Sequence, residues 1–158
     1  MQLYEFNNEN YNILVLMPYK ADAKIDLVEK AGNNYYISSQ HRRKGNPNKS
    51  RWTITFDEEV DCFIQSMIKE WKDEKKAWGL KAPNKVIDIV GINDDNDSLM
   101  LAKFIVGPGR DTWHGYPADY VNRAQDRPTN TILKMWVDDG YITKAKMTKI
   151  NRGISCDL

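Results

Sequence analysis

The residues with the greatest chemical potential are concentrated between positions 107 and 127. This segment, GPGRDTWHGYPADYVNRAQDR, combines the titratable side chains of Asp111 and His114 with the aromatic rings of Trp113 and Tyr116. Its apolar residues repeat at neither strand nor helix spacing, and Gly, Pro, Asp and Asn interrupt them, which is typical of a binding loop. We therefore predict an ordered, partly exposed loop over residues 107–127 that forms the main recognition surface.

The same segment contains groups suited to acid–base catalysis. Arg110 ends a Gly-Pro-Gly-Arg sequence whose backbone amides could hold a carboxylate or phosphate beside the guanidinium, although the GK[ST] ending of a P-loop is missing. With Arg110 and Asp111 nearby, the imidazoles of His114 and His41 could serve a metal-independent phosphodiesterase or ribonuclease, provided that they meet in space. The structural alternative is that His114 and Trp113 fill the core beneath the terminal helices.

A second candidate site is the basic segment QHRRKGNPNKSR at residues 40–51. Its cations are Arg42, Arg43, Lys44, Lys49 and Arg51. They surround a Gly-Asn-Pro-Asn turn that we predict joins two strands, so they would create a local positive field able to contact phosphates or an acidic protein surface. A solubilising loop tip is the structural alternative. We expect Arg42, Arg43 and Lys44 to contribute to function rather than to stability, because such a tip buries little.

A third candidate is the basic second helix of a predicted terminal helical hairpin. Its cations are Lys144, Lys146, Lys149 and Arg152. This layout is that of a helix-turn-helix, whose second helix enters the DNA major groove. We favour the structural alternative, an amphipathic helix pair that closes the core through Ile142, Met147 and Ile150.

The sequence gives little support for a metal site or a nucleophilic enzyme. The acidic residues 93–97 lack the glycine and distal glutamate of a calcium-binding loop and suit a hairpin end. Cys62 and Cys156 have neither CxxC spacing nor a histidine at zinc spacing, and no GxSxG motif occurs. We predict no metal, no cofactor and no catalytic nucleophile.

Length and composition indicate one soluble domain over residues 1–158. The chain has a hydrophobic content of 41% and a formal net charge of +1, so nucleic-acid binding would need a local basic patch. Its longest apolar run, residues 13–17, is far too short to span a membrane, and we expect no membrane association. The first ten residues lack the layout of a secretory signal, and we expect a cytoplasmic protein.

The element that the sequence predicts most strongly is an amphipathic helix over residues 57–78. Its apolar stripe has helical spacing and consists of Val60, Phe63, Ile64, Met67, Ile68, Trp71 and Trp78. Asp57 is the predicted N-cap, and Gly79 and Pro83 are expected to stop the helix. We expect this helix to pack on the sheet.

Strand patterns occupy much of the remaining sequence. Residues 21–31 fit either a strand, which we favour, or a short helix that ends at Gly32. Residues 35–39 and 51–56 are predicted to pair as antiparallel strands on either side of the basic segment. The other predicted strands are residues 11–17 and a pair formed by residues 85–92 and 99–106.

Two short helices are predicted at the end of the chain. The first opens at Pro128 and ends at Gly140, and the second has Thr143 as N-cap and ends near Gly153. The predicted fold class is therefore α+β, with a mainly antiparallel sheet packed against one long amphipathic helix and a short C-terminal helical hairpin.

The leading functional hypothesis is a small cytosolic protein that binds a macromolecular partner, most simply another protein, as an immunity protein, antitoxin or defence adaptor does. It depends on the size of the chain, the lack of enzyme motifs and the aromatic and arginine residues in polar segments, which are types enriched at interfaces. The predicted binding residues are Arg42, Arg43, Lys44, Arg51, Arg110, Trp113, His114 and Tyr116.

Two alternatives belong to other functional classes. One is a protein that binds RNA or single-stranded nucleic acid through the basic segment, with base stacking on Trp113, Tyr116 or Trp52. The other is a phosphodiester-cleaving enzyme that uses His114, with Arg110, Asp111 and His41 as further catalytic candidates.

Overall fold

The computed structural model describes residues 2–8, 11–17, 19–43, 48–109 and 111–158 and confirms the α+β fold class. In chain order the strands of these ranges are β1 (Gln2–Asn8), β2 (Tyr11–Met17), β3 (Lys24–Ile25), β4 (Asn34–Tyr36), β5 (Arg51–Trp52), β6 (Lys76–Gly79), β7 (Gly91–Ile92), β8 (Ser98–Leu99), β9 (Leu101–Val106) and β10 (Thr112–Ala118). The helices are α1 (Val28–Ala31), α2 (Phe56–Ile68), α3 (Asn130–Asp138) and α4 (Lys144–Arg152). Single 3₁₀ turns occur at Ser39–His41, Pro83–Lys85 and Ala124–Asp126.

The central sheet has the strand order β3-β4-β10-β9-β6. Only β4 and β10 pair in parallel among these strands as described, and the other neighbours are antiparallel, so the sheet is mainly antiparallel as predicted. β1 and β2 form a separate antiparallel hairpin with Gln2 opposite Met17, which confirms a strand over residues 11–17.

The prediction of an irregular loop over residues 107–127 is wrong for the part that forms β10. Trp113 faces the core and is 3% exposed, whereas His114 and Tyr116 are half-buried on the opposite face. Gly115 resembles a turn residue in the sequence, but a side chain there would collide with the ring of Phe104. Glycine in this strand therefore permits close packing instead of marking a turn.

The predicted helix over residues 57–78 is shorter than expected. α2 ends at Ile68, and Lys76–Gly79 form β6. Thr55, not Asp57, is the N-cap, and it forms a reciprocal capping box with Glu58. Trp71 and Trp78 match the helical spacing of the stripe, but they lie beyond the end of α2 and are not part of a helix. Both side chains are buried, but Trp78 belongs to the strand β6 and not to a helix.

Two predicted strand pairings are also corrected. Residues 35–39 and 51–56 do not form a hairpin, because β4 pairs with β3 and β10 while β5 pairs with β7. Within residues 85–92 and 99–106, only the short strands β7 and β8 pair, and β9 crosses to the central sheet. The ambiguous residues 21–31 contain both predicted elements, β3 followed by α1 with its C-cap at Gly32.

The first hydrophobic core lies between one face of the central sheet and α2. Phe63 occupies its centre, with its ring centroid 4.7 Å from that of Tyr35, 5.4 Å from that of Phe104 and 6.2 Å from that of Trp113. Other buried members include Ile25, Ile37, Trp52, Val60, Met67, Ala77 and Ala102. The alternation of inward and outward residues along the strands leaves the other face of the sheet for the second core.

The second core is closed by the terminal helices, as the sequence predicts. Thr129 and Thr143 cap α3 and α4 by accepting hydrogen bonds from backbone N–H groups, and Gly153 ends α4 with φ of 68°. Buried members include Trp71, Trp78, Leu80, Leu101, Leu133, Trp136, Ile142 and Ile150. These helices share the second core with Trp78 of β6 and Leu101 of β9, and His114 on the same sheet face is half-buried.

Across the described ranges, no helix is both long and apolar enough to cross a bilayer.

Candidate functional site

One row of side chains crosses the sheet face that α2 does not cover. Lys24 on β3 pairs with Tyr36 on β4. Ile105 on β9 pairs with His114 on β10 and with Lys76 on β6. The parallel β4–β10 pairing, continued by one residue, sets His114 beside Tyr36. The row, called the sheet row below, therefore runs Lys24, Tyr36, His114, Ile105 and Lys76.

The sheet row is only partly accessible to solvent. Lys24 and Lys76 are exposed at its ends, and the three residues between them are half-buried. Adjacent strands are about 4.8 Å apart, so the four steps of the row span roughly 19 Å. Its Lys76 end opens into a shallow depression of about 410 Å³ lined in part by Ile105. Tyr36 Oη donates to Asp22 Oδ1 over 3.3 Å, which restrains the ring.

Beside the sheet row lies a polar cleft of about 390 Å³, called the His41 cleft below. The ring of His41 stacks on that of Tyr116, with centroids 5.2 Å apart and planes inclined by 19°. Tyr116 follows His114 by two residues on β10, so both side chains lie on the same sheet face about 7 Å apart. Residues that line the cleft include His41, Lys49, Ser50, Tyr116, Arg123 and Asp126.

The floor of the His41 cleft is a buried network centred on Asp126. Its carboxylate accepts hydrogen bonds from Tyr116 Oη and from the backbone N–H of Asp119, each at 2.9 Å. Lys103 Nζ lies 3.4 Å from Asp126 Oδ1 and donates to the Gln125 carbonyl at 2.5 Å. Burial, followed by the charge of Asp126, raises the pKa of Tyr116, so its hydroxyl stays protonated as a donor. The network fixes the ring on which His41 stacks.

Backbone and side-chain bonds hold the edge of the cleft in place. The Asn48 N–H donates to Asp94 Oδ2 at 2.6 Å, and Arg123 Nη2 donates to the Asn48 carbonyl. Ser50 Oγ donates to a backbone carbonyl of β10 at 2.6 Å. Lys49 lies between these two anchored residues and lines the cleft, and its Nζ donates to Gln40 Oε1.

Both histidines experience the positive charge of this surface. Burial lowers the pKa of His41, the hydrogen bond with the Ser50 carbonyl opposes that shift, and the charges of Lys49, His114 and Arg123 lower it further. Burial, then the charge of Lys49, lowers the pKa of His114. The fold thus brings His41 and His114, which are 73 positions apart in the sequence, within range of each other's charge.

Arg42 differs most from its predicted role as a binding residue on an exposed tip. Its Nη2 donates to Glu59 Oε1 at 2.6 Å, and its guanidinium lies 4.5 Å from the centroid of the Phe56 ring. Glu59 is fully buried and also accepts from Tyr35 Oη at 2.5 Å. The side chain of Arg42 is 17% exposed. It therefore neutralises a buried carboxylate and stabilises the fold.

The other predicted site residues are dispersed. Trp113 packs in the first core and does not present its ring to a ligand. Arg43 and Asp111 are exposed, and Arg51 is half-buried in β5. The predicted residues outside the described ranges are Lys44 and Arg110.

Sequence reasoning missed most of the sheet row. Lys24, Tyr36 and Lys76 lie in three distant segments, and Lys76 falls within the helix predicted over residues 57–78. The alternation of polar and apolar residues in β3, β4 and β6 was a usable signal for strands. The strand order that makes these residues neighbours has no local signature, so the row becomes visible only in the folded chain.

The described part of the chain contains no group of three or more His, Cys, Asp or Glu side chains placed to hold a metal ion. Residues 93–97 instead close a turn, in which the N–H groups of Asp95 and Asp97 donate to Asn93 Oδ1 at 2.9 Å each. Asn93 and Asn122 in turn donate to Asp119. The surface offers aromatic stacking, cationic contacts and proton transfer by imidazole.

No known protein family, curated protein or solved structure matches this chain. Its structural class is an α+β protein whose central sheet has one partly open face lined by basic and aromatic side chains.

Proposed function

We propose that the protein binds single-stranded nucleic acid along the sheet row. The observation that carries the proposal is that Tyr36 and His114 lie side by side on an open sheet face between the cations Lys24 and Lys76. Proteins that bind single strands combine aromatic platforms for the bases with positive charge for the backbone. The sheet row supplies both within roughly 19 Å.

The surroundings of the row support the same proposal. Hydrogen bonds from Ser39, and to a smaller extent the charge of Arg43, lower the pKa of Asp22, which places Arg43 within range of the residue that Tyr36 contacts. The charge of Lys49 lowers the pKa of His114. Arg43 and Lys49 therefore add positive charge near the aromatic part of the row, where Asp22 is the carboxylate that Tyr36 contacts, although the whole chain carries a net charge of only +1.

Fluorescence anisotropy with labelled 12-nucleotide RNA and DNA strands tests this function. Tyr36→Ala should weaken binding by about 1–3 kcal/mol, the usual contribution of one stacked base. Lys24→Gln with Lys76→Gln should weaken binding and reduce the slope of log K against log salt by about 0.7 for each lost phosphate contact. Lys69→Gln is the matched control, since Lys69 follows α2 on the other side of the sheet. Equal binding by all variants, or no binding by the native protein, would refute the proposal.

A protein partner, as in an immunity protein or antitoxin, is the second candidate. It is supported by exposed apolar residues beside a groove of about 530 Å³, namely Ile89 and Val121, which are 40% and 36% exposed. Tyr120 and residues 155–157 complete part of that groove. A partner held there should stay bound at 1 M salt and be lost in Val121→Asp, whereas nucleic acid should dissociate at that salt concentration.

We also propose a cytoplasmic location. Cys62 is buried and Cys156 is partly buried, and neither forms a disulfide within the described ranges. Free thiols are in keeping with a reducing compartment.

A further inference from the structure

We infer that the His41 cleft cleaves single-stranded RNA, with His41 as general base and His114 as general acid. The substrate class is RNA because the attacking group is its 2′-hydroxyl. This inference rests on the proposed binding function, since the sheet row would deliver the strand to the cleft. It adds a chemical step that strand binding alone does not require.

The first support is the tautomer of His41. Its Nδ1 lies 2.9 Å from the Ser50 carbonyl oxygen. A carbonyl oxygen can only accept, so Nδ1 carries the proton and the neutral ring has an unprotonated Nε2. Burial lowers the pKa of His41 and so keeps the ring neutral near pH 7. His41 also lines the cleft, which gives a substrate hydroxyl access to this base.

The second support is the arrangement of the two histidines around one aromatic ring. His41 stacks on Tyr116, and His114 lies two residues before Tyr116 on the same face of β10. Lys103 and Asp126 brace Tyr116 from below, so the ring on which His41 stacks is fixed, and His114 lies beside the cleft and not in its lining. Two imidazoles on either side of one phosphodiester can remove a proton from the attacking oxygen and supply one to the leaving oxygen.

The third support is the charge that faces a bound phosphate. Lys49 and Arg123 line the cleft. The carboxylates that share the lining are Asp94, Asp95, Asp119 and Asp126. Asp94 accepts from the Asn48 N–H, Asp119 accepts from Asn93 and Asn122, and Asp126 accepts from Tyr116 Oη. Cations near a phosphoryl group stabilise the negative charge that develops on it in the transition state.

The step is balanced without an added reactant. Nε2 of His41 takes the proton of the 2′-hydroxyl as its oxygen forms a bond to phosphorus. The bond from phosphorus to the 5′-oxygen breaks, and that oxygen takes a proton from the protonated ring of His114. The products are a 2′,3′-cyclic phosphate and a 5′-hydroxyl, and exchange with water restores both histidines.

The pH dependence follows from the groups around the two rings. His41 stacks on Tyr116 and feels the charges of Lys49, Arg123 and His114, and Lys49 also acts on His114. The carboxylates that share the cleft with His41 are Asp94, Asp95, Asp119 and Asp126. Because the pKa of each histidine is lowered, cleavage should be greatest below about pH 6.5 and should decline at higher pH as His114 loses its proton. Lys49→Met should raise both pKa values and move the optimum to higher pH.

The test measures single-turnover cleavage of a labelled 12-nucleotide RNA at saturating protein, with a chelator present to suppress contaminating metal-dependent nucleases. A 2′-O-methyl strand of the same sequence, which cannot react, measures binding in parallel. The native protein should release a 2′,3′-cyclic phosphate product from RNA and leave DNA intact. His41→Asn and His114→Asn should each reduce the rate by about 100-fold or more. The asparagine amide at position 41 can still donate to the Ser50 carbonyl. Lys69→Gln should leave the rate unchanged.

The outcomes separate the two proposals. Binding of the 2′-O-methyl strand without cleavage of RNA would overturn the inference and leave the binding function intact. Binding of neither strand would overturn both. Cleavage that persists in both histidine variants would place the reaction outside the His41 cleft and overturn the inference. If either histidine variant fails to fold, the pH profile of Lys49→Met decides, and an unchanged optimum counts against the assignment.

Discussion

At the scale of single residues, Arg42 and Arg43 have different environments although they are neighbours in the sequence. Arg43 is exposed, whereas Arg42 pairs with the buried Glu59. The pKa of Glu59 is raised because burial outweighs the stabilising bonds from Tyr35 and Arg42. A run of cations therefore does not define a binding patch, because one member can belong to the core.

Replacing these arginines separately should reveal the difference. Arg42→Met leaves the carboxylate of Glu59 buried without its ion pair and should reduce the free energy of unfolding by about 3–5 kcal/mol. Arg43→Met should change it by less than about 0.5 kcal/mol. The Arg42→Met penalty should shrink near pH 4, because Glu59 is then protonated in both states. Urea unfolding at pH 4 and pH 7 measures this, and equal stability of the two variants would contradict the pairing.

The lowered pKa values of His41 and His114 predict a pH dependence of stability. In the unfolded chain each histidine titrates near 6.5, and in the folded chain each does so at lower pH. Their contribution is therefore complete above about pH 6.5 and is lost as the pH falls through the folded-state values. NMR titration should give pKa values below 6.5 for both imidazoles. Both pKa values should be higher in Lys49→Met. Values at or above 6.5 in the native protein would disprove this.

At the scale of elements, the sequence predicts the existence of an element better than its boundaries, since Thr55 and not Asp57 caps α2. The strand over residues 11–17 and the capped α4 follow from local signals, as does the existence of α2. The end of α2 does not follow from local signals, because Trp71 and Trp78 lie beyond Ile68 and still match its helical spacing. β10 was missed because its inward positions include glycine and proline. Tyr116 and the two histidines were identified as chemically suited, but their proximity depends on strand order.

The last turn of α2 provides a direct test of where its buried stripe ends. Met67 and Ile68 both belong to the predicted apolar stripe, but they are 5% and 63% exposed. Met67→Ala should therefore cost about 2 kcal/mol or more, and Ile68→Ala should change stability by less than about 0.5 kcal/mol. Thermal unfolding of both variants against the native protein measures the difference. A comparable loss of stability in both variants would support the longer helix predicted over residues 57–78.

At the scale of the whole molecule, two strands join the two cores. β6 contributes Ala77 to the first core and Trp78 to the second. β9 contributes Phe104 to the first core and Leu101 to the second. Since alternate residues of one strand face opposite sides of a sheet, neither core can lose its packing without disturbing strands that the other core requires.

This shared framework predicts that the protein unfolds in one cooperative transition. Phe63→Ala in the first core should cost about 3–5 kcal/mol, and Leu133→Ala in the second about 2–5 kcal/mol. Each should shift the same calorimetric transition to lower temperature, with equal calorimetric and van't Hoff enthalpies. Lys69→Ala is the control, because its side chain is exposed at the end of α2. If either core variant splits the transition in two, the cores are independent folding units, and residue pairs such as Ala77–Trp78 do not couple them.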